Sequence, residues 1–245
     1  MNKEKLLQEL VEKLTSASGP NLEAVVLYGS AAGEEFHESY SDLNVLCVLK
    51  RLDGSEMERV SSASRWWVKK GHPAPLLFGR DELQAMAGVF PIEFLDIKSK
   101  RKLLYGEDLF ASFEVPMKLY RSAVERELVV NIVRLRQGSL AAGLKAKNLM
   151  RLMTASASSF MTLFRNALLV LGEQPPKSSR EVVDRLAARL GFDASPFHVI
   201  WDVRERKRKE KSVDVRSVWV AYVENAQRAA DALRQESAPP GQQSS

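Results

Sequence analysis

Two short apolar runs joined through a Gly-Ser step constrain this chain more than anything else in it. Val25-Val26-Leu27-Tyr28 leads into Gly29-Ser30, and the chain returns to strand-like composition at Ser41-Asp42-Leu43-Asn44-Val45-Leu46-Cys47-Val48-Leu49. The spacing predicts strands over about 22–28 and 42–49, rich in β-branched residues and punctuated by turn residues. Side chains alternate along a strand, so Asp42 and Asn44 are expected on one face, where the Gly-Ser turn would present a ligand. Gly29 lets the backbone bend and approach a phosphate closely. The Ser30 hydroxyl and neighbouring amides would donate to phosphate oxygens. A phosphate held at such a turn, beside acidic groups that hold a divalent cation, is the minimal apparatus of phosphoryl or nucleotidyl transfer.

The rest of the chain divides by periodicity. Leu6, Leu7, Leu10, Val11 and Leu14 lie on one helical face, and a short helix is expected from Ala31. Residues 55–70 read as a helix burying Val60, Ala63, Trp66 and Trp67, Pro75–Phe78 as a short strand, and Asp81–Ala87 as a helix. Pro91-Ile92-Glu93-Phe94-Leu95-Asp96-Ile97-Lys98 reads as a strand with one acid on each face, and Tyr105–Phe110 as a turn leaving the sheet. From about Val115 strand signals stop and long segments of period 3.6 take over, at 117–137, 145–171, from Ser178 to Leu190, from Ser195 and over 215–233. Ser178 with Glu181 forms a capping box, Gly191 stops that helix, and Ser195-Pro196 supplies a cap and a first-turn proline. The fold class is therefore α/β in the α+β sense: a mixed sheet with flanking helices over 1–114, a helical bundle over 115–236, and a low-complexity tail, expected to be disordered, over 237–245.

Composition narrows the surroundings. At 245 residues, 45% hydrophobic and 27% charged, the chain can bury a proper core. A lone Cys47 rules out an internal disulfide framework and fits a reducing compartment. Neither a secretory leader nor an apolar run of spanning length is read, so a cytoplasmic protein without a membrane partner is expected. A net charge of +5 and a pI near 9.3 suit an anionic substrate and do not by themselves indicate nucleic acid, which is not expected as a partner. The run Arg204-Glu205-Arg206-Lys207-Arg208-Lys209-Glu210-Lys211 would wrap around a helix, which suits a solvated face or loop; contact with triphosphate or nucleic acid is the other reading. His37, His72 and His198 lack metal-ligand spacing. Of Trp66 and Trp67, stacking on a base is the functional reading and packing inward the structural one.

Tyr28-Gly29-Ser30 followed by Asp42-Leu43-Asn44-Val45 resembles the nucleotidyltransferase superfamily shared by DNA polymerase beta, the minimal nucleotidyltransferases and the aminoglycoside nucleotidyltransferases. The resemblance covers roughly residues 1–110 and fills every slot of the motif but one: Asn44 stands where the family has its second carboxylate. It implies transfer of a nucleoside monophosphate from a nucleoside triphosphate such as ATP to a hydroxyl acceptor, a small molecule or a protein. It further implies Mg²⁺ or Mn²⁺ held by Asp42 and Asn44, phosphates held by Gly29, Ser30 and Asn44, and catalysis by Asp42 with a third acid from a later strand. Glu93 matches that last slot best, with Asp96 its competitor. An amide oxygen can coordinate a cation but contributes no charge, so Asn44 also opens a second reading: a nucleotide-binding or protein-interaction module that has lost turnover. A homodimer stays open on this sequence.

Overall fold

The computed structural model describes residues 2–32 and 42–236. Two compact units part between Leu119 and Tyr120. The first is built on a four-stranded mixed sheet. Strand β1 (Leu22–Tyr28) pairs antiparallel with β2 (Asn44–Leu49) on one side and with β4 (Arg101–Gly106) on the other, while β3 (Leu76–Gly79) adds in parallel to β2, for a spatial order β3-β2-β1-β4. The β1–β2 register sets Tyr28 directly opposite Asn44, Val26 opposite Leu46 and Leu27 opposite Val45.

Both faces of the sheet are covered, which is why β1 and β2 are apolar on both faces. Helix α1 (Lys3–Ser18) and helix α2 (Gly54–Lys69) cover one face, where Leu6, Leu10, Leu14, Val60, Ala63 and Trp67 pack on Val25, Leu27, Val45, Cys47 and Leu49. Helix α3 (Arg80–Val89) and helix α4 (Pro91–Ser99) supply Leu83, Ala87, Phe94 and Ile97 against Ala24, Val26, Leu46 and Val48 on the other. Asn2 and Asp53 accept from backbone N–H groups in the first turns of α1 and α2. Burial pushes the Cys47 thiol up to about 12, so it packs as a small apolar side chain and not as a nucleophile.

Three expectations are corrected here. Pro91–Ser99 is helix α4, not a strand. Proline occupies its first turn, and Pro91, Phe94 and Ile97 are buried at a spacing of three, a helical stripe. Consequently Glu93 and Asp96, three residues apart, share a helix face instead of pointing oppositely. The fourth strand is Arg101–Gly106, part of which was read as a turn leaving the sheet. It is an edge strand whose exposed positions break the alternation that marks a strand with one buried face. The second strand also begins two residues late, at Asn44, which leaves Asp42 ahead of it.

The second unit is helical. Helix α5 spans Met117–Ala141, α6 Ala146–Val170, α7 Ser179–Leu190, α8 Ser195–Arg204 and α9 Val215–Gln235. Helix α6 packs against α7, α8 and α9, and Phe160 and Phe164 from it meet Phe197 and Tyr222 in a cluster of tilted and edge-on rings. Ser178 accepts from Glu181 N–H as the capping box requires, and Gly191 closes α7 in the left-handed conformation. At α8 the cap falls to Asp193, whose carboxylate accepts from the backbone N–H and the hydroxyl of Ser195. The expected short helix from Ala31 is a 3-10 turn over Gly29–Ala32 as far as the described residues run; His37 and the 237–245 tail lie outside them. Among the described residues no helix is long and apolar enough to cross a membrane.

The β1–β4 pair depends on Gly106. Its φ is +79°, and a Cβ there would stand 1.8 Å from the Glu23 carbonyl oxygen, so the backbone of one strand would have to move. Gly106→Ala is expected to cost about 3 kcal/mol or more, read as a fall in the urea midpoint.

Candidate functional site at the Gly29 turn

The end of β1 is fixed from three sides. The Gly29 N–H donates to the Lys100 carbonyl at 3.0 Å, and Lys100 N–H donates in turn to Asp96 O at 2.9 Å. The junction of α4 and β4 is thereby pinned against the Gly-Ser turn. Arg101 locks the same junction: its guanidinium grips Asp108 through two bonds of 3.0 and 2.8 Å and also donates to the Lys98 carbonyl. That two-bonded contact holds the Asp108 carboxyl below its ordinary range. On the third side Lys3, at the start of α1, donates from Nζ to Ala31 O at 2.5 Å.

These contacts place the expected residues unequally. Gly29 has φ +77°, a left-handed conformation that suits glycine, and a Cβ built there would lie 3.6 Å from Asn44 Nδ2. Conformation, not space, is therefore what calls for glycine. The turn and Asn44 are neighbours, consistent with the Tyr28–Asn44 register. The Gly29 amide is already spent on Lys100, so anion donors at this turn must come from elsewhere, the exposed Ser30 hydroxyl first.

Asp42 is exposed. The segment that carries it is anchored at the next residue, where Leu43 N–H donates to His72 Nδ1 at 3.4 Å, a long bond, and the His72 ring packs at 4.6 Å, tilted, against buried Trp67. Burial lowers the His72 pKa, with the Asp42 carboxylate pulling the other way. A neutral ring, protonated on Nε2, is the form that accepts the Leu43 N–H.

Of the two acids on α4, the structure links Asp96 to the turn and not Glu93. The Tyr28 hydroxyl has its pKa raised by burial first and by the negative charge of Asp96 second, and the Asp96 carbonyl accepts from Lys100, the residue that also receives the Gly29 N–H. Glu93 is exposed in the first turn of the same helix. Lys3 and Lys102 carry no role in the sequence motif, His72 is weighed there only as a metal ligand, and Asp96 stands there only as the competitor of Glu93. Lys102 stands opposite Leu27 on β4, and burial lowers the Lys3 pKa, with the charge of Lys102 adding to the effect, so two ammonium groups flank the turn. Only a correct assignment of α4 and β4 could have brought Lys102 and Asp96 into view; Lys3 and His72 carry no local signal.

The donors suit a particular kind of ion. Asp42 offers one carboxylate and Asn44 one amide oxygen, and among the described residues no group of three His, Cys, Asp or Glu side chains is assembled for a metal. Mg²⁺ is ordinarily held by one or two carboxylates together with substrate phosphates, so this set fits one Mg²⁺ arriving with a polyphosphate, not a pair of ions held by protein alone.

No family model matches the chain, and no curated protein matches it in sequence. Solved structures do. The spectinomycin adenyltransferase AAD(9) from Enterococcus faecialis, solved with ATP and spectinomycin, aligns over 95% of this chain and 100% of its own at 14% identity and a TM-score of 0.55. The tri-AMPylated Shewanella oneidensis HEPN toxin in complex with MNT antitoxin aligns over 53% and 98% at 16% identity and a TM-score of 0.32. A toxin–antitoxin structure with AMP-PNP aligns over 51% and 98% at 17% identity and 0.33, and these last two are too loose to carry an argument. The chain has a nucleotidyltransferase-like fold, a mixed four-stranded sheet with flanking helices followed by a helical region.

The His72 anchor yields a pH signature. A base whose folded pKa lies below its unfolded value leaves the unfolded chain holding more protons. Its stabilising contribution is therefore complete above about pH 6.5 and is lost as pH falls through the lowered value. The urea midpoint of the native chain is expected to drop more between about pH 7.5 and 5.5 than that of His72→Gln, compared in parallel titrations.

Proposed function

We propose that this protein transfers a nucleoside monophosphate from a nucleoside triphosphate, ATP the first choice, to a hydroxyl acceptor, either a small molecule or a protein side chain. The observation that carries the reading is the closure of the Gly29-Ser30 turn onto Asn44, two residues from Asp42, in a nucleotidyltransferase-like fold. The presence of ATP in the AAD(9) structure supports a triphosphate as the substrate.

On this reading Ser30 donates its hydroxyl to a phosphate oxygen, while Gly29 holds the bend that brings the chain close. Lys3 and Lys102 add positive charge beside the turn and so favour a polyanion. Asp42 and Asn44 would hold Mg²⁺ or Mn²⁺, which when bound neutralises phosphate charge. The acceptor oxygen attacks the α-phosphorus, pyrophosphate leaves, and the hydroxyl proton passes to a carboxylate. The link between Asp96 and Tyr28 supports Asp96 over Glu93 for that proton, with Glu93 the acid that the sequence motif favours.

Asn44 favours a second reading, a nucleotide-binding module without turnover, because it removes one negative charge from the expected ion site. One experiment separates the two. The purified chain is incubated with labelled ATP and Mg²⁺ or Mn²⁺, with cell extract as the acceptor source, and label transfer and pyrophosphate release are followed. Transfer is expected, with Asp42→Ala lowering it at least about a hundredfold, as loss of a charged ligand at a reacting centre typically does. A silent native chain that gains transfer in Asn44→Asp would establish the second reading, and activity untouched by Asp42→Ala would overturn the first.

A further inference from the structure

Trp66 and Trp67 are adjacent in sequence but serve different surfaces. Trp67 is fully buried under the sheet, whereas Trp66 lies half-exposed on the outer side of α1 and α2. Lys13 Nζ stands 5.0 Å and Lys70 Nζ 5.6 Å from the Trp66 ring centroid. Two shallow depressions meet at that ring. One, of about 380 Å³, is lined by Ser62, Arg65, Trp66 and Lys69. The other, of about 330 Å³, is lined by Lys13, Ser16, Ala17, Arg59, Ser62, Ala63 and Trp66.

The two depressions are lined by cations and no acid, although Glu12 and Glu58 are exposed on the same two helices. Lys13 pairs with Glu9 at 3.5 Å and Arg59 with the buried Glu56 at 3.3 Å. Arg65 and Lys69 are exposed and have no salt-bridge partner among the described residues. From Arg59 to Lys70 the cations extend along twelve residues of helix and its cap, a rise of about 16 Å at about 1.5 Å per residue. Ser61, Ser62 and Ser64 lie between Arg59 and Arg65. A single nucleotide would leave most of that length unused. A polymer of regularly spaced phosphates would use it, with a base laid on the indole between them.

We propose that the outer face of α1 and α2 around Trp66 binds single-stranded nucleic acid, Trp66 stacking on a base and Arg59, Arg65, Lys69 and Lys70 meeting the backbone phosphates. The Gly29 turn meets α1 at its first turn, through Lys3, whereas Trp66 meets α1 at Lys13, ten residues further along and about 15 Å away at about 1.5 Å per residue. The inference therefore stands whether or not the chain transfers nucleotides.

The test uses the full chain without triphosphate and a fluorescently labelled oligouridylate of about 16 nucleotides, the upper length of a single compact site, with binding read as anisotropy against salt. Binding is expected to weaken linearly with the logarithm of salt. Trp66→Ala should weaken it about tenfold. Trp66 also packs on core residues, so Arg65→Glu with Lys69→Glu, both at exposed positions, gives an independent measurement. That pair should weaken binding and shrink the salt slope by about 1.4, at about 0.7 per single-strand phosphate contact, with an unchanged circular dichroism melt. Heparin supplies charge without bases, and its binding should respond to the charge reversals but not to Trp66→Ala. Absence of binding at low salt, oligonucleotide binding indifferent to both variants, or stronger capture of a poly-glutamate peptide would each overturn the proposal.

Discussion

Strand β1 is the member on which the first unit depends. It is hydrogen-bonded along both edges, buried on both faces, and ends where three other elements converge. Its last residue, Tyr28, sits between Asn44 on one side and Arg101 on the other. A strand in that position cannot slip by one residue without turning Val25 and Leu27 toward the α3–α4 face and Ala24 and Val26 toward the α1–α2 face. The place at which the Gly29 turn emerges is thus set by the core beneath it. The Gly29–Lys100 bond then transmits that position to α4 and hence to Asp96. A functional turn on such a support is held more closely than one on a free loop.

How far this could be read from sequence depended on whether one periodicity was distinct from another. The first strand and the five helices beyond residue 115 are legible because each carries an unambiguous pattern, with side-chain caps at α7 and α9. Segment Pro91–Lys98 is not, because Ile92, Phe94, Leu95 and Ile97 satisfy both a strand and a helix pattern over so short a run. Pro91 does not decide it, since proline is accepted both in the first turn of a helix and as the first residue of a strand; the buried stripe of Pro91, Phe94 and Ile97 at a spacing of three does. With that segment misassigned, Arg101–Gly106 had no place in the sheet, although Gly106 marks the point where β4 meets the Glu23 backbone. The candidate site suffered accordingly. Gly29, Ser30, Asp42 and Asn44 could be named from their motif, whereas Lys102 and the nearness of Asp96 to Tyr28 depend on pairing that no local pattern records.

The paired tryptophans show the same limit on a smaller scale. Successive residues on a helix point about 100° apart, so only one of two neighbours can face a core directly. Sequence says that a choice exists. What makes it is the full set of contacts around α2, where Val60, Ala63 and Trp67 form the inward stripe and Arg59, Ser62 and Trp66 the outward one. An indole kept half outside while its neighbour is buried leaves an aromatic surface among cations, a combination that composition alone, with a net charge of only +5, does not announce.

Charge also bears on the meaning of Asn44. Replacing a carboxylate by an amide removes one negative charge from the place where an ion would bind, and this chain sets two ammonium groups, Lys3 and Lys102, beside the same turn. Both features move the local balance in one direction, away from holding cations and toward holding a polyanion directly. Under the proposed function, part of the neutralisation that a second ion would provide to a triphosphate then comes from protein ammonium groups. Lys3 carries a further consequence, because burial already lowers its pKa and its ammonium donates to the Ala31 carbonyl. A bound phosphate would reverse that shift by favouring the charged form, so nucleotide affinity and the protonation of Lys3 are linked, each strengthening the other.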